Sequence, residues 1–287
     1  MNLGVHAYAW TSEWNNEQLG LIERCSRLGL DLIEIPLMRL DLCDPRAIRA
    51  ECERGGIKVC TSTVLNESTD LTSEDARTRK NGVDYLKACV KATSEMGGST
   101  FSGVIYSAIG KKSESRPGPK EWEHSAAGLK EVCRFAQDFD VTVGIEPVNR
   151  YETYLVNTAA QALSLCEMIG EPNAAVHLDT YHMNIEEKDF YQATKLAGNR
   201  LCHYHLCEND RGIPGTGLVD WHGIFSALGE MNYNGNAALE SFVEVSDNMR
   251  EATCIWRDLA PSGDVLVSEG ARFIRSLVDK YFSADKS

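Results

Sequence analysis

Ala174-Ala175-Val176-His177-Leu178-Asp179-Thr180-Tyr181-His182 decides how this chain is read. A short, mostly apolar run ends on an acid, and polar residues follow at once. The same order recurs in Val141-Thr142-Val143-Gly144-Ile145-Glu146, in Leu201–Leu206 with His205 near its end, and in Ala237-Ala238-Leu239-Glu240. Strand candidates lie at Leu3–Tyr8, Leu32–Ile35, Lys58–Ser62, Thr100–Tyr106, Thr142–Glu146, Ala175–Asp179, Leu201–Leu206 and Ala237–Ser241. Helical patterns at 16–28, 44–54, 73–96, 119–138, 157–169, 186–197, 221–230 and 264–282 alternate with them. Eight strand–helix pairs are the sequence form of a parallel sheet wrapped by helices. They predict a single (β/α)8 TIM barrel, with residues 1–287 as one domain, a length at which such barrels are common.

Punctuation supports the pattern. Asp44-Pro45 opens one helix and Gly55-Gly56 closes it; Ser73-Glu74-Asp75 and Gly97-Gly98 bracket the next. Asn157-Thr158 starts the fifth, which Gly170 ends. Residues 110–120 read as a long loop after the fourth strand. An open doubly wound sheet has the same periodicity, but its phosphate-binding motifs fail. Gly215-Thr216-Gly217 reaches Asp220 where a third glycine is needed, and Gly103 stands too far from Gly110-Lys111 for a phosphate loop.

Twenty-nine Lys and Arg against 42 Asp and Glu give a net charge of −13, which disfavours nucleic acid and anionic membrane as partners and leaves a small molecule as the expected one. Ten cysteines without a CxxC pair, in a chain large enough to bury its own core, read as reduced thiols lying outside the chemistry. No secretory leader pattern and no long apolar run stand in the sequence, so a cytoplasmic location is expected and the Asn66-Glu67-Ser68 sequon is chance.

In a barrel the strand C-termini meet at one mouth. Glu146, Asp179, His205 and Glu240 are spaced 33, 26 and 35 residues apart, each close to one repeat, so four successive strands send one polar group to the same rim. Three crowded carboxylates push each other's pKa up unless protons or a cation neutralise them. Three carboxylates and an imidazole suit Mn²⁺, Mg²⁺ or Co²⁺, with positions left for a bidentate substrate. His203 faces the same side as His205 and is the open alternative on that strand. Glu152, His182 and Arg211 belong to mouth loops. His6, Tyr8, Trp10 and Trp14 either wall a sugar pocket or plug the barrel. Such a centre polarises an α-hydroxy ketone, and Glu146 and Glu240 on opposite faces would move a proton from one side of a carbon to the other.

The strings Glu146-Pro147-Val148-Asn149-Arg150-Tyr151-Glu152, His177 through Glu187, Glu208-Asn209-Asp210-Arg211-Gly212, Gly215-Thr216-Gly217, Glu240-Ser241-Phe242 and Ile255-Trp256-Arg257-Asp258-Leu259 resemble those of the ketose 3-epimerases of the xylose-isomerase-like superfamily. That family comprises the D-tagatose, D-allulose (D-psicose) and L-ribulose enzymes. The resemblance implies Glu146, Asp179, His205 rather than His203, and Glu240 as ligands of Mn²⁺ or a similar ion, with Glu146 and Glu240 as the acid/base pair. It implies that Glu152, His182 and Arg211 hold the O1–O3 end of a ketose, and that the assembly is a homodimer or homotetramer. Two positions depart from the family pattern: Asp210, where relatives place His or Asn, and Cys207, where a small Gly is common. The eighth loop, Glu244-Val245-Ser246-Asp247, is acidic, which predicts a free rather than a phosphorylated ketose. An aldose–ketose or hydroxypyruvate-type isomerase, a 3-oxo-glycoside lyase and a noncatalytic sugar-binding barrel remain the competing readings.

Overall fold

A computed structural model describes residues 1–282. Its strands are β1 (Asn2–His6), β2 (Leu32–Pro36), β3 (Lys58–Leu65), β4 (Thr100–Ala108), β5 (Thr142–Ile145), β6 (Ala174–Asp179), β7 (Leu201–Leu206) and β8 (Asn236–Leu239). All pair in parallel and in chain order, and β8 returns to β1 through Leu3 opposite Ala237. The sheet is therefore closed, as the alternation predicts, and the open doubly wound sheet is excluded. The outer ring contains α1 (Gly20–Arg27), α2 (Pro45–Gly55), α3 (Ala76–Glu95), α4 (Pro119–Gln137), α5 (Ala159–Ile169), α6 (Thr180–Glu186), α7 (Phe190–Ala197), α8 (Trp221–Glu230), α9 (Asp247–Thr253) and α10 (Gly263–Phe282). No helix among the described residues is long and apolar enough to cross a membrane.

The helix signals act as read. Asp44 accepts hydrogen bonds from the Arg46 and Ala47 amides at 3.0 and 3.2 Å with Pro45 at the first position, and Gly56 ends α2 in the left-handed region at φ 65°. Thr158 and Gln161 form a reciprocal capping box at the start of α5.

Some boundaries differ. β1 stops at His6 because the His6 ring accepts the Tyr8 amide at 3.2 Å and turns the chain into a 3-10 turn, so Tyr8 is not a strand residue. β3 runs on to Leu65 and β4 to Ala108, past the predicted ends at Ser62 and Tyr106. β5 and β8 stop before Glu146 and Ser241. The stretch after Asp179 is α6, not loop, because the Asp179 side chain caps it. α9 occupies the eighth loop, capped by Ser246.

Alternation along each strand sorts side chains by face. Ile33, Ile35, Val176, Leu178, Tyr204 and Leu206 join the apolar core between sheet and helices. The residues between them, Glu34, His177, His203 and His205, line the barrel interior, which is polar rather than a plug of aliphatic side chains.

One glycine ties the sheet to the mouth. Gly103 in β4 holds φ at 125°, where an L side chain is strained, and a Cβ there would run into the Thr63 carbonyl of β3. Its own carbonyl accepts the Glu146 amide at 3.1 Å. Gly103→Ala is expected to lose at least about 2 kcal/mol of stability from backbone strain and collision. Urea unfolding should show a lower midpoint at unchanged slope, and a wild-type midpoint would contradict this.

Candidate active site

β6, β7 and β8 set the centre by register: Asp179 stands opposite His205, and His205 opposite Ala238, two residues before Glu240. The result is that His205 Nδ1 lies 3.5 Å from Glu146 Oε1, 3.5 Å from Asp179 Oδ2 and 3.5 Å from Glu240 Oε2. The four residues that the sequence places on adjoining tips thus meet around one atom, and all four are buried. His205 Nδ1 itself has no hydrogen-bond partner. A buried, unpartnered nitrogen facing three carboxylate oxygens is a donor set of three oxygens and one nitrogen, and it fits a hard or borderline divalent cation.

The charges respond to this crowding. Carboxylates within 4.8 Å of one another repel by about 3 kcal/mol per pair at an effective dielectric near 20. Burial raises the Glu146 carboxyl, and the charges of Asp179 and Glu240 raise it further against the pull of His205. Burial also opposes ionisation of Asp179, but Arg211, His182 and His205 outweigh it and hold that carboxyl well below its ordinary value. Asp179 is further committed by structure: its Oδ1 accepts the Tyr181 amide at 2.6 Å and the His182 amide at 3.2 Å, which leaves Oδ2 for the centre.

Beneath the centre lies a residue that sequence reading passed over. Glu34, fully buried in β2, accepts from His205 Nε2 at 2.9 Å and from His203 Nε2 at 2.6 Å. It fixes the His205 ring so that Nδ1 points at the three carboxylates, the outer partner that an imidazole ligand ordinarily has. His203 is engaged a layer lower, with its Nε2 on Glu34, so His205 is the one at the centre. His6 bonds Ser62 Oγ at 3.2 Å and packs edge-on to His205 with ring centroids 5.7 Å apart. His177, two residues before Asp179, lies between His203 and His205 with both ring nitrogens unpartnered. The available signal was an acid inside an apolar strand, Leu32-Ile33-Glu34-Ile35, whose side chain must enter the barrel.

Of the predicted mouth residues, Arg211 and His182 reach the centre directly, and Glu152 is tied to His182 through Asn149. Arg211 Nη1 donates to Asp179 Oδ2 at 2.9 Å and also to Glu240 Oε2, while its guanidinium lies over the Tyr181 ring at 4.0 Å. His182 Nδ1 accepts the Asn149 backbone amide at 3.2 Å, so in the neutral ring the proton sits on Nε2, which faces Asp179 and Arg211. Asn149 also donates from Nδ2 to Glu152 at 2.8 Å and thereby orders two predicted substrate contacts at once. Trp14 is buried with its indole nitrogen unpartnered. Asp210 turns away from the Arg211 guanidinium and pairs with Arg257 at 2.9 Å. One expectation needs correcting: the thiols are not all remote, because Cys207 Sγ sits 3.6 Å from both Asp179 Oδ2 and Glu240 Oε2. The short segment after β7 turns inward here, its Cys207 amide bonded to Thr180 Oγ1 at 2.7 Å.

A cleft of about 490 Å³ opens beside Arg211, between Tyr181 and the Ile255–Leu259 segment. One of about 500 Å³ lies at the opposite, N-terminal end of the barrel near Arg49, Lys58 and Asn236, away from every carboxylate of the centre.

Residues 22–277 match the xylose isomerase-like TIM barrel family, and the chain belongs to that family. It is 35% identical over 278 residues to a ketose 3-epimerase of Arthrobacter globiformis, covering 96% of each chain. It is 34% identical over 281 residues to an L-ribulose 3-epimerase of Methylomonas sp., covering 96% of this chain and 97% of that one. A crystal structure of D-allulose 3-epimerase from Methylomonas sp. in complex with D-allulose superposes with a TM-score of 0.91 at 33% identity, covering 96% of both chains. The protein is an enzyme of the isomerase class, a carbohydrate epimerase.

Glu34 gives this site a pH signature. Burial alone would raise its carboxyl, but His205, His203 and His6 together hold it well below the ordinary 4.5. On acidification the unfolded chain takes up that proton first, so the contribution of Glu34 to stability is complete above about pH 4.5 and is lost as pH falls below it. Glu34→Gln should lower stability at neutral pH by about 3 kcal/mol, as for removal of one partner of a buried ion pair. Its stability should also decline less steeply below pH 4.5 than that of the wild type in urea unfolding at each pH. Parallel curves would remove Glu34 from the acid response.

Proposed function

We propose that the chain is a divalent-metal-dependent ketose 3-epimerase that inverts C3 of a free ketohexose or ketopentose. The observation that carries this reading is the unpartnered Nδ1 of His205 faced by carboxylates at the C-terminal ends of three separate strands. Glu146, Asp179, His205 and Glu240 would hold the ion, Mn²⁺ foremost with Co²⁺ and Mg²⁺ sharing its oxygen-rich preference. When bound, the ion supplies polarisation of the ketose carbonyl and its neighbouring hydroxyl, which acidifies the adjacent C–H.

The protein's own groups divide the remaining tasks. Asp179 is fixed by capping α6 and serves as ligand only. Glu146 and Glu240 make no comparable bonds to backbone amides, so they are the carboxyls able to exchange protons with substrate. One takes the C3 proton to give a cis-enediolate, and the other returns a proton to the opposite face. Burial and the neighbouring Asp179 and Glu240 charges raise the Glu146 carboxyl, the direction that favours proton exchange with substrate. His182 Nε2–H and Arg211 donate to the O1–O3 end and Glu152 accepts there, while His6 and Trp14 wall the pocket. Burial of His182 and Arg211 keeps bulk water from their side of the intermediate, which water would otherwise reprotonate at random.

The acidic loop after β8 supports an unphosphorylated substrate; its Glu244 accepts the Gly263 amide at 2.8 Å. Ten free cysteines support a reducing, cytoplasmic setting. The whole chain acts as one domain, and the active form is a homodimer or homotetramer.

Incubation with D-fructose, D-tagatose and L-ribulose in D₂O tests the reaction. Deuterium at C3 of an inverted ketose is the expected result. Label at C1 or C2 with an aldose product would make the enzyme an aldose–ketose isomerase, and no exchange with any ketose would sink the proposal. Glu146→Gln and Glu240→Gln should each lower turnover at least ~10²-fold, and either variant at full activity would strike that residue from the acid/base pair. Dialysis against a chelator should abolish turnover and Mn²⁺ should restore it, whereas undiminished activity after chelation would refute metal dependence.

A further inference from the structure

Cys207 follows His205 by two residues and reaches the same centre from a different side. Its Sγ lies 3.6 Å from Asp179 Oδ2 and 3.6 Å from Glu240 Oε2, with Arg211 Nη1 at 2.9 Å. Ligand atoms of Asp179, Cys207 and Glu240 all stand within 4.8 Å of one another, and all three residues are buried. A second, independent observation completes the set: His205 Nδ1, unpartnered and on a residue only 2% exposed, faces those same two carboxylate oxygens at 3.5 Å. The Cys207 sulfur and the His205 nitrogen thus share the same two carboxylate oxygens as neighbours, and together they offer the four donors and the softness that Zn²⁺ and Cd²⁺ prefer.

We propose that Cys207 is a thiolate ligand that gives this centre a second, soft-metal mode, in which Zn²⁺ or Cd²⁺ is held by Asp179, His205, Glu240 and Cys207. The proposal rests on the metal-centre reading above and exchanges one of its donors, the Glu146 carboxylate for the Cys207 sulfur. As the metal–sulfur bond forms, the S–H bond breaks and the proton leaves to solvent, with no change in oxidation state. Three donors are common to both modes, so a soft and a hard ion exclude one another. Arg211 Nη1, which touches Asp179, Glu240 and Cys207, must withdraw for either ion.

Metal-free protein titrated with Cd²⁺ should develop an ultraviolet thiolate-to-metal charge-transfer band. That band should fall by one thiolate equivalent per chain in Cys207→Ser. In the same variant, competition against a chromophoric chelator should show the ratio of Zn²⁺ to Mn²⁺ affinity lowered by at least about tenfold, the low end of what even outer-sphere losses cost a metal site. Cys207→Gly gives the same readouts should circular dichroism show the serine variant misfolded. No band in the wild type, a band of equal intensity in the variant, or Zn²⁺ and Mn²⁺ affinities that fall together would overturn the proposal. Mn²⁺ uptake by the wild type, read as loss of the free-ion paramagnetic resonance signal, separates the two failures. Mn²⁺ bound without the cysteine-dependent band overturns only thiolate ligation, and failure to take up Mn²⁺ overturns the metal centre itself.

Discussion

Three carboxylates held against one imidazole nitrogen, in a space that water barely reaches, are the constraint around which the remaining architecture is arranged. At the separations seen here each like-charged pair opposes folding by an amount comparable to a sizeable part of a domain's net stability. The chain meets this by several means at once. Glu146 is pushed toward its protonated form, Arg211 places its guanidinium on Asp179 and Glu240, and Glu34 counterbalances the histidines from below. A proton on His205 Nδ1 and a cation coordinated there are alternative occupants of one spot, so metal uptake and proton release are coupled by geometry.

Backbone structure separates acids that composition treats as equal. Asp179 uses one oxygen to start α6 and presents the other to the centre, so helix initiation and site geometry share one side chain. Glu146 hangs its amide on the Gly103 carbonyl and keeps its carboxyl free, and Glu240 follows the small residue Ala238, which stands opposite His205. Asn149 performs the analogous task for the rim by setting both His182 and Glu152. Loop residues are thus held by hydrogen bonds to one another, while the four central groups are held by strand register.

Much of this was legible in the sequence because a closed parallel barrel converts spacing into position. Once the βα repeat was recognised, Glu146, Asp179, His205 and Glu240 had to share a rim, and the caps at Asp44 and Thr158 marked helices correctly. Glu34, His177 and the role of His203 escaped because attention to strand tips ignores the layer below, where side-chain direction depends on knowing which face of each strand turns inward. Cys207 escaped for a different reason: it lies beyond its strand, and its inward turn depends on the Thr180 hydroxyl of a neighbouring repeat. α6 was hidden because the residue that caps it also reads as a ligand.

Arg211 adopts φ of 65°, a backbone conformation that glycine or asparagine occupies with less strain. Replacing it would relieve that backbone strain, yet it would leave Asp179 and Glu240 buried without their guanidinium partner, the costlier of the two effects. Selection for heat resistance in the metal-free protein would therefore keep the arginine and tolerate its left-handed backbone. Durability and chemistry thus favour the same side chain at this residue, and the backbone bears the strain of both.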